Sequence, residues 1–348
     1  MNVPNPVPLL NVSEHLRVRS QGRIHFGLLE ISESEPNCYG GIGLMVESAT
    51  AVLEARISQS GHSRCVVQAD AYWQPRIEAV SNNWLGSHGS LPVDSMRVIE
   101  SPLPHQGMGS GTQMACSVAA LLSAAEHRRT QVDTPGVENV AKLFSIESLS
   151  KQSQRGKRSN IGLCGFLEGG FVVDRGMLPA SYSDEVPLPR TQRFEFPEWP
   201  VLVLQDTESR GDSGHDEARM FERCSLASNP NRGLMLETIE HEILPAIASK
   251  NWEQFDIALG RYGRWAGKIF EPVQGGVYRS PQIEQCVDVA LKLGLRGAAQ
   301  SSWGPTVCVF AKDDEHATWC QSRLQAELPR LKVSTTRGVN GPAQVEWL

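Results

Sequence analysis

The stretch "PLPHQGMGSGTQMACSVAALLSAAEHRR", residues 102 to 129, sets Gly107, Gly109 and Gly111 directly against a long apolar helical pattern. Met114, Val118, Leu121, Leu122 and Ala125 recur at helical spacing and predict one buried face. A helix N-terminus leaves its first N–H groups without partners and carries partial positive charge. A glycine-rich turn in front of it therefore lets an anion reach the backbone. Ser110 and Thr112 add hydroxyls, and His127, Arg128 and Arg129 stand where a helix end favours cations. Two readings stand side by side: a phosphate cradle, or a tight loop ahead of an ordinary core helix. The string is not the GxxxxGK loop, because no lysine follows the glycines. It is not GxGxxG in the dinucleotide register either, because its three glycines alternate.

With 348 residues the chain can bury a substantial core, and two domains are expected. A net charge of −6 argues against a general nucleic-acid binder, which needs a basic face to neutralise phosphates. The eight cysteines, at 38, 65, 116, 164, 224, 286, 308 and 320, form no CxxC pair and no zinc-type cluster, so they read as reduced, mostly buried thiols. Residues 1–15, "MNVPNPVPLLNVSEH", are broken by Pro4, Pro6 and Pro8 and read as a flexible N-terminus rather than a leader or anchor. No apolar stretch approaches the roughly 20 residues of a spanning helix, so a cytoplasmic protein without membrane partners is expected.

Strands are expected at 16–31, 39–47, 50–58 and 96–104, and a helix at 137–150. The segment "KQSQRGKRSNIGLCGFLEGGFVVDRG" (151–176) then combines cations with glycines and runs into a strand. The proline-rich run 179–198 is the expected boundary, giving domains at 16–190 and 191–348. Strand and helix alternate in the second half, which makes the fold class α+β.

The run "PHQGMGSGTQM" (104–114) resembles the second motif, PxxxGLGSSAA, of the GHMP superfamily. The segments "RIHFGLLEI", "SNIGLCGFLEGGFVVDRG", "WPVLVLQD", "RGDSGHDEARMFE", "QGGVY" and "QSSWGPTVCVFA" are similar, in order, to blocks of one branch of it. That branch is the β-ribofuranosylaminobenzene 5′-phosphate synthases, which begin tetrahydromethanopterin biosynthesis. The resemblance covers about residues 16 to 312. It implies an N-terminal domain with a left-handed βαβ crossover and a ferredoxin-like C-terminal domain. It also implies a reaction without ATP. In that reaction 4-aminobenzoate, or a 4-hydroxybenzoate-type analogue, attacks phosphoribosyl pyrophosphate and yields a C-riboside phosphate, pyrophosphate and carbon dioxide.

The resemblance places the diphosphate on Gly107, Met108, Gly109, Ser110, Gly111, Thr112 and Gln113, with magnesium as counter-ion and its protein ligands unspecified. Arg23 and His25, with Asp174 and Asp206 at strand ends, are the candidate catalytic groups. Arg155, Lys157, Arg158, Ser159 and Gly162 are candidates for binding substrate anions. In "QSSWGPT" the hydroxyls of Ser301, Ser302 and Thr306 and the bare turn at Gly304 face the substrates, and Trp303 is placed to stack on the benzoate ring. Arg210, Ser213, His215 and Glu217 make a polar loop suited to a lid. A homodimer is the assembly that relatives imply. The chain departs from the branch at Met108, at Gly111-Thr112-Gln113 and at Asn160. A glycine cradle does not separate a nucleotide from a sugar diphosphate, so an ATP-dependent kinase and a non-catalytic binding protein of the same fold stay open.

Overall fold

The computed structural model describes residues 15–31, 39–130, 139–176, 190–206, 229–301 and 304–348. Its first sheet grows around two long strands, β1 (His15–His25) and β2 (Gly41–His62), paired antiparallel. β2 is one strand where the sequence suggests two. The polar step at Ser48–Thr50 is an irregularity within it, with Ala49 at φ 58° and a register shift between Ser20 and Gly22 on β1. Gly22 is required there, because a Cβ would lie 2.2 Å from the Ser48 carbonyl.

β3 (Val66–Gln68), α1 (Gln74–His88) and β4 (Leu91–Glu100) form a βαβ unit whose strands pair in parallel, and β4 lies against β2. Then come α2 (Ser110–Thr130), a 3-10 turn (Val140–Lys142), α3 (Ile146–Ser153) and α4 (Ile161–Glu168). β5 (Phe171–Asp174) pairs with the first part of β2, and β6 (Thr191–Phe194) pairs with β5. α2 is more deeply sunk than its amphipathic pattern suggests: every residue from Gln113 to Leu122 is buried. Ala115, Ser117, Ala119 and Ala120 are small enough for neighbours to approach it from all sides, and Val118, Leu121 and Leu122 join the core formed by Leu16, Leu53 and Met96.

The second sheet runs β10 (Lys332–Arg337), β7 (Pro200–Gln205), β9 (Thr306–Phe310), β8 (Ala299–Gln300), all antiparallel. Between β7 and β8 lie α5 (Arg232–Thr238), a π-turn (Ile239–Ile243), α6 (Leu244–Ala248), α7 (Trp252–Lys268), α8 (Glu271–Gln274) and α9 (Pro281–Lys292); α10 (Asp314–Glu327) joins β9 to β10. Fourth, first, third and second strand in that order is the ferredoxin-like arrangement. The two sheets share one aromatic core, in which Phe26 stacks on Phe171 at 6.3 Å and Phe255 meets Phe310 edge-on at 5.0 Å.

A division at 190/191 does not follow the sheets. β6 belongs to the first sheet, and β11 (Gln344–Trp347) returns to it to pair with β1 at Leu16–Arg19. Residues 1–14, most of the expected flexible start, lie outside the described residues. Among the described residues no helix is long and apolar enough to cross a membrane.

Candidate active site

The glycine loop takes a shape that few side chains permit. His105, Gly107 and Gly109 all lie in the left-handed region, at φ 60°, 74° and 70°. Each loop carbonyl between them is held. Thr306 Oγ1 donates to Gln106 O at 2.5 Å, Ser301 Oγ donates to Gly107 O at 2.6 Å, and the Arg23 amide donates to Met108 O at 2.9 Å. The Met108 side chain is buried in the aromatic core. The hydroxyl protons of Ser301 and Thr306, expected to face substrate, are thus committed to the loop. Gly304 lets the two backbones touch, since a Cβ there would lie 2.6 Å from Gly107 Cα. Ser302, Trp303 and the lid segment of Arg210, Ser213, His215 and Glu217 lie outside the described residues.

The loop delivers the chain into α2. Gly109 O accepts the N–H groups of Thr112 and Gln113, so the donors ahead of them have no intrahelical partner. The first turn of α2 contains no acidic residue. Two guanidinium groups flank it instead. The Arg23 side chain lies on Gly109, where a Cβ would come within 2.9 Å of Nε, and Arg155 Nη2 lies 4.0 Å from where a Cβ on Gly111 would be. Strand register places the first. The second is aimed by a turn after α3, in which Gln154 (φ 56°) and Gly156 (φ 85°) are left-handed and Ser150 Oγ donates to Arg155 O at 2.5 Å. Gly109, Gly111 and Thr112 are partly exposed, whereas Ser110 and Gln113 are buried.

α4 brings its own N-terminus beside that of α2. Gln113 Nε2 donates to Gly162 O at 3.1 Å, leaving the buried Oε1 unpartnered, and a Cβ on Gly162 would lie 2.9 Å from Thr112 Cγ2. Ser159 Oγ accepts the Ile161 N–H. Asp174, expected as a metal or ribose ligand, is fully buried; it accepts the amides of Asn160 (2.7 Å) and Gly176 (3.1 Å) and pairs with Arg190 at 3.3 Å. Lys157 is exposed and Arg158 half-buried on the same connection.

His25 is buried at the end of β1. Its Nδ1 accepts the Gly27 N–H at 3.2 Å, so the neutral ring carries its proton on Nε2, which is buried without a partner. Burial, reinforced by the Arg23 charge, holds its pKa well below the ordinary histidine value. The His25 amide also donates to Ser301 Oγ at 3.4 Å, tying this strand end to the loop. Asp206 follows Gln205, which pairs with Thr306, so it stands at the same end of the second sheet. Past the end of β1 lies a small depression, of about 10 Å³, walled by Phe26, Gly267, Phe270, Val277 and Tyr278; the last two come from the "QGGVY" block. Sequence reasoning passed over Tyr72, whose hydroxyl meets His105 Nε2 at 2.7 Å. No periodicity or motif signals a pairing across that separation.

The donor set is one of N–H groups and guanidinium cations, which suits an anion. Among the described residues no three His, Cys, Asp or Glu side chains come together as a metal cage.

Comparison with known proteins agrees with this fold. The family description "GHMP kinases C terminal" matches residues 243–330. Beta-ribofuranosylphenol 5′-phosphate synthase of Archaeoglobus fulgidus is 27% identical over 318 residues, covering 89% of this chain and 91% of that one. The protein of the same name from Methanothermobacter thermautotrophicus is 27% identical over 312 residues, covering 84% and 87%. This chain is thus similar to those synthases over most of its length, and to the GHMP kinase C-terminal family within its second half. Among solved structures, Methanococcus jannaschii mevalonate kinase superposes with a TM-score of 0.62 at 13% identity, over 94% of this chain and 99% of that one. Mevalonate-3-kinase of Thermoplasma acidophilum gives 0.62 at 14% identity, over 96% and 99%. At such identities these kinases share the fold alone with this chain, whose curated relatives are named synthases.

Proposed function

We propose that this chain is a phosphoribosyl transferase that joins the sugar of phosphoribosyl pyrophosphate to the ring of a para-substituted benzoate, with loss of carbon dioxide. The supporting observation is the acid-free first turn of a 21-residue helix flanked by Arg23 and Arg155. Donors fixed in place before the reaction stabilise charge where it accumulates, here on the departing diphosphate. The C1–O bond of the sugar breaks and its electron pair leaves with the diphosphate. The ring carbon bearing the carboxylate, made electron-rich by the para substituent, forms the new bond to C1. The carboxylate then departs as carbon dioxide, and its bonding pair restores aromaticity. No ring proton is removed, so a buried neutral His25 suits the reaction: it offers Nε2–H as a donor and is not needed as a base.

The relatives' name specifies a phenol, which favours 4-hydroxybenzoate over 4-aminobenzoate as acceptor. The product would enter tetrahydromethanopterin synthesis. The test is to incubate purified protein, magnesium and phosphoribosyl pyrophosphate with each benzoate labelled at the carboxylate. Equal release of pyrophosphate and labelled carbon dioxide is expected, without ATP. Release of neither, alongside tight ATP binding by calorimetry, would replace this reading with a kinase.

A further inference from the structure

His105 is the one strained non-glycine position in the glycine loop, two residues ahead of Gly107 and at φ 60°. A side chain in that region is strained against the carbonyl that follows it, so neighbouring structure must hold it there. Tyr72 is that structure. Its hydroxyl lies 2.7 Å from His105 Nε2, and the two rings meet edge to face at 5.4 Å and 90°. Tyr72 is itself locked. Its amide and that of Trp73 both donate to Asp70 Oδ1 at 2.9 Å, and Trp73 is buried, with its ring 4.8 Å from that of Tyr72. The Arg76 guanidinium sits 3.6 Å above the Tyr72 ring and donates to the Tyr72 carbonyl at 2.8 Å.

The loop is therefore gripped from two directions. Thr306 on β9 and Ser301 just past β8 hold the Gln106 and Gly107 carbonyls; Tyr72, in the turn ahead of α1, holds His105. We propose that Tyr72 and His105 are a positioning pair, which fixes the loop in its left-handed path and so aims the donors at Gly109–Gly111 at the substrate diphosphate. This role rests on the transferase reading for the identity of the anion. Its geometry stands apart from that reading. Neither residue lies in the cradle itself.

Tyr72→Phe removes the hydroxyl and keeps the ring beneath Arg76. His105→Gly removes the imidazole at a position where glycine accepts the backbone angle. Each is expected to raise the Kd for inorganic pyrophosphate and the KM for phosphoribosyl pyrophosphate about tenfold, the scale of one lost hydrogen bond, with kcat changed less than about threefold. The double variant should be no weaker than either single one, because both break the same contact. Amide hydrogen exchange over residues 104–113 should quicken in Tyr72→Phe while exchange in the core of β2 stays at the parental rate. Parental pyrophosphate affinity together with parental exchange in Tyr72→Phe overturns the proposal. If neither parent nor variants bind pyrophosphate, the transferase reading fails, and the exchange experiment alone decides the pair: faster exchange supports it, unchanged exchange sinks it. Should His105→Gly not fold, Tyr72→Phe carries the same decision.

Discussion

Two helix N-termini lie side by side in this molecule, and they are completed in opposite ways. At α4 the chain supplies its own acceptors: Ser159 Oγ takes the Ile161 N–H, and the buried Asp174 carboxylate takes the Asn160 amide. At α2 the first turn has neither acid nor capping carboxylate, and two guanidinium groups add to the helix's own positive end. On the proposed reading, the difference separates a structural terminus from an anion-binding one. A helix start neutralised by its own chain contributes stability. One surrounded by cations costs stability through like-charge crowding and recovers it when an anion binds. Glycine follows the same division: Gly162 serves packing against Thr112, whereas Gly111 faces open space beside Arg155.

The contrast can be broken from either side. Replacing both Arg23 and Arg155 by Gln should have the largest effect, lowering kcat/KM for phosphoribosyl pyrophosphate by about 10²–10⁴, at about 1.5–3 kcal/mol for each charge-assisted contact. Because the like-charge crowding at the helix end is relieved, the melting temperature should not fall below the parent's. Asp174→Asn should do the reverse. It leaves the buried amides and Arg190 without their anion, so denaturant titration should register a loss of about 3 kcal/mol, while the folded fraction binds pyrophosphate within about threefold of the parent. Gly111→Asp converts the α2 terminus into one of the α4 kind. The new carboxylate meets Arg155, so stability should rise by about 0.5–1 kcal/mol while pyrophosphate affinity falls about a hundredfold. Weaker stability with unchanged affinity in Gly111→Asp would show that α2 is completed by something other than the ligand.

The smallest effect concerns pH. His25 is neutral when folded, because burial holds its pKa well below the ordinary value, whereas the unfolded chain takes up a proton near pH 6.5. Below that pH the unfolded state binds more protons, and stability is lost as pH falls, by at most about 1.4 kcal/mol per pH unit from this group. Asp256 acts in the other direction. Burial pushes its pKa up to about 6, so its folded form holds a proton that the unfolded chain has released, and stability rises as pH falls through 6. The parent's curve is then shallow. The difference between parent and His25→Gln, followed by urea titration from pH 5 to 8, isolates the histidine contribution and should grow toward pH 5.

Much of the fold is legible because local chemistry dictates it. Apolar runs such as "VLVLQ" and "TVCVF" become β7 and β9, and the loop glycines at 107 and 109 stand where φ is positive. α1 escaped notice because Ile77, Val80 and Trp84 are a thin apolar stripe in a polar segment. β2 read as two strands because a left-handed Ala49 in a polar step looks like a turn until Gly22 is seen accommodating it. At the site, sequence brings Arg23 and Arg155 into candidacy by charge alone. Only the Arg23 amide bond to Met108 and the turn at Gln154–Gly156 place them at one helix end. Asp174 illustrates the converse: a strand-end aspartate has the chemistry of a ligand, and its neighbours' amides decide that both oxygens are occupied.

The last strand, β11, has a consequence for how the molecule comes into being. It flanks β1, the strand that carries Arg23 and His25, and the Arg17–Glu346 contact across this pair joins residues 329 positions apart. Until residues 344–347 have emerged and paired, one edge of β1 is bare, and a nascent chain must keep the exposed edge from pairing with a neighbour. Clipping residues 344–347 should therefore reduce yield and raise aggregation during synthesis more than it disturbs a molecule already assembled.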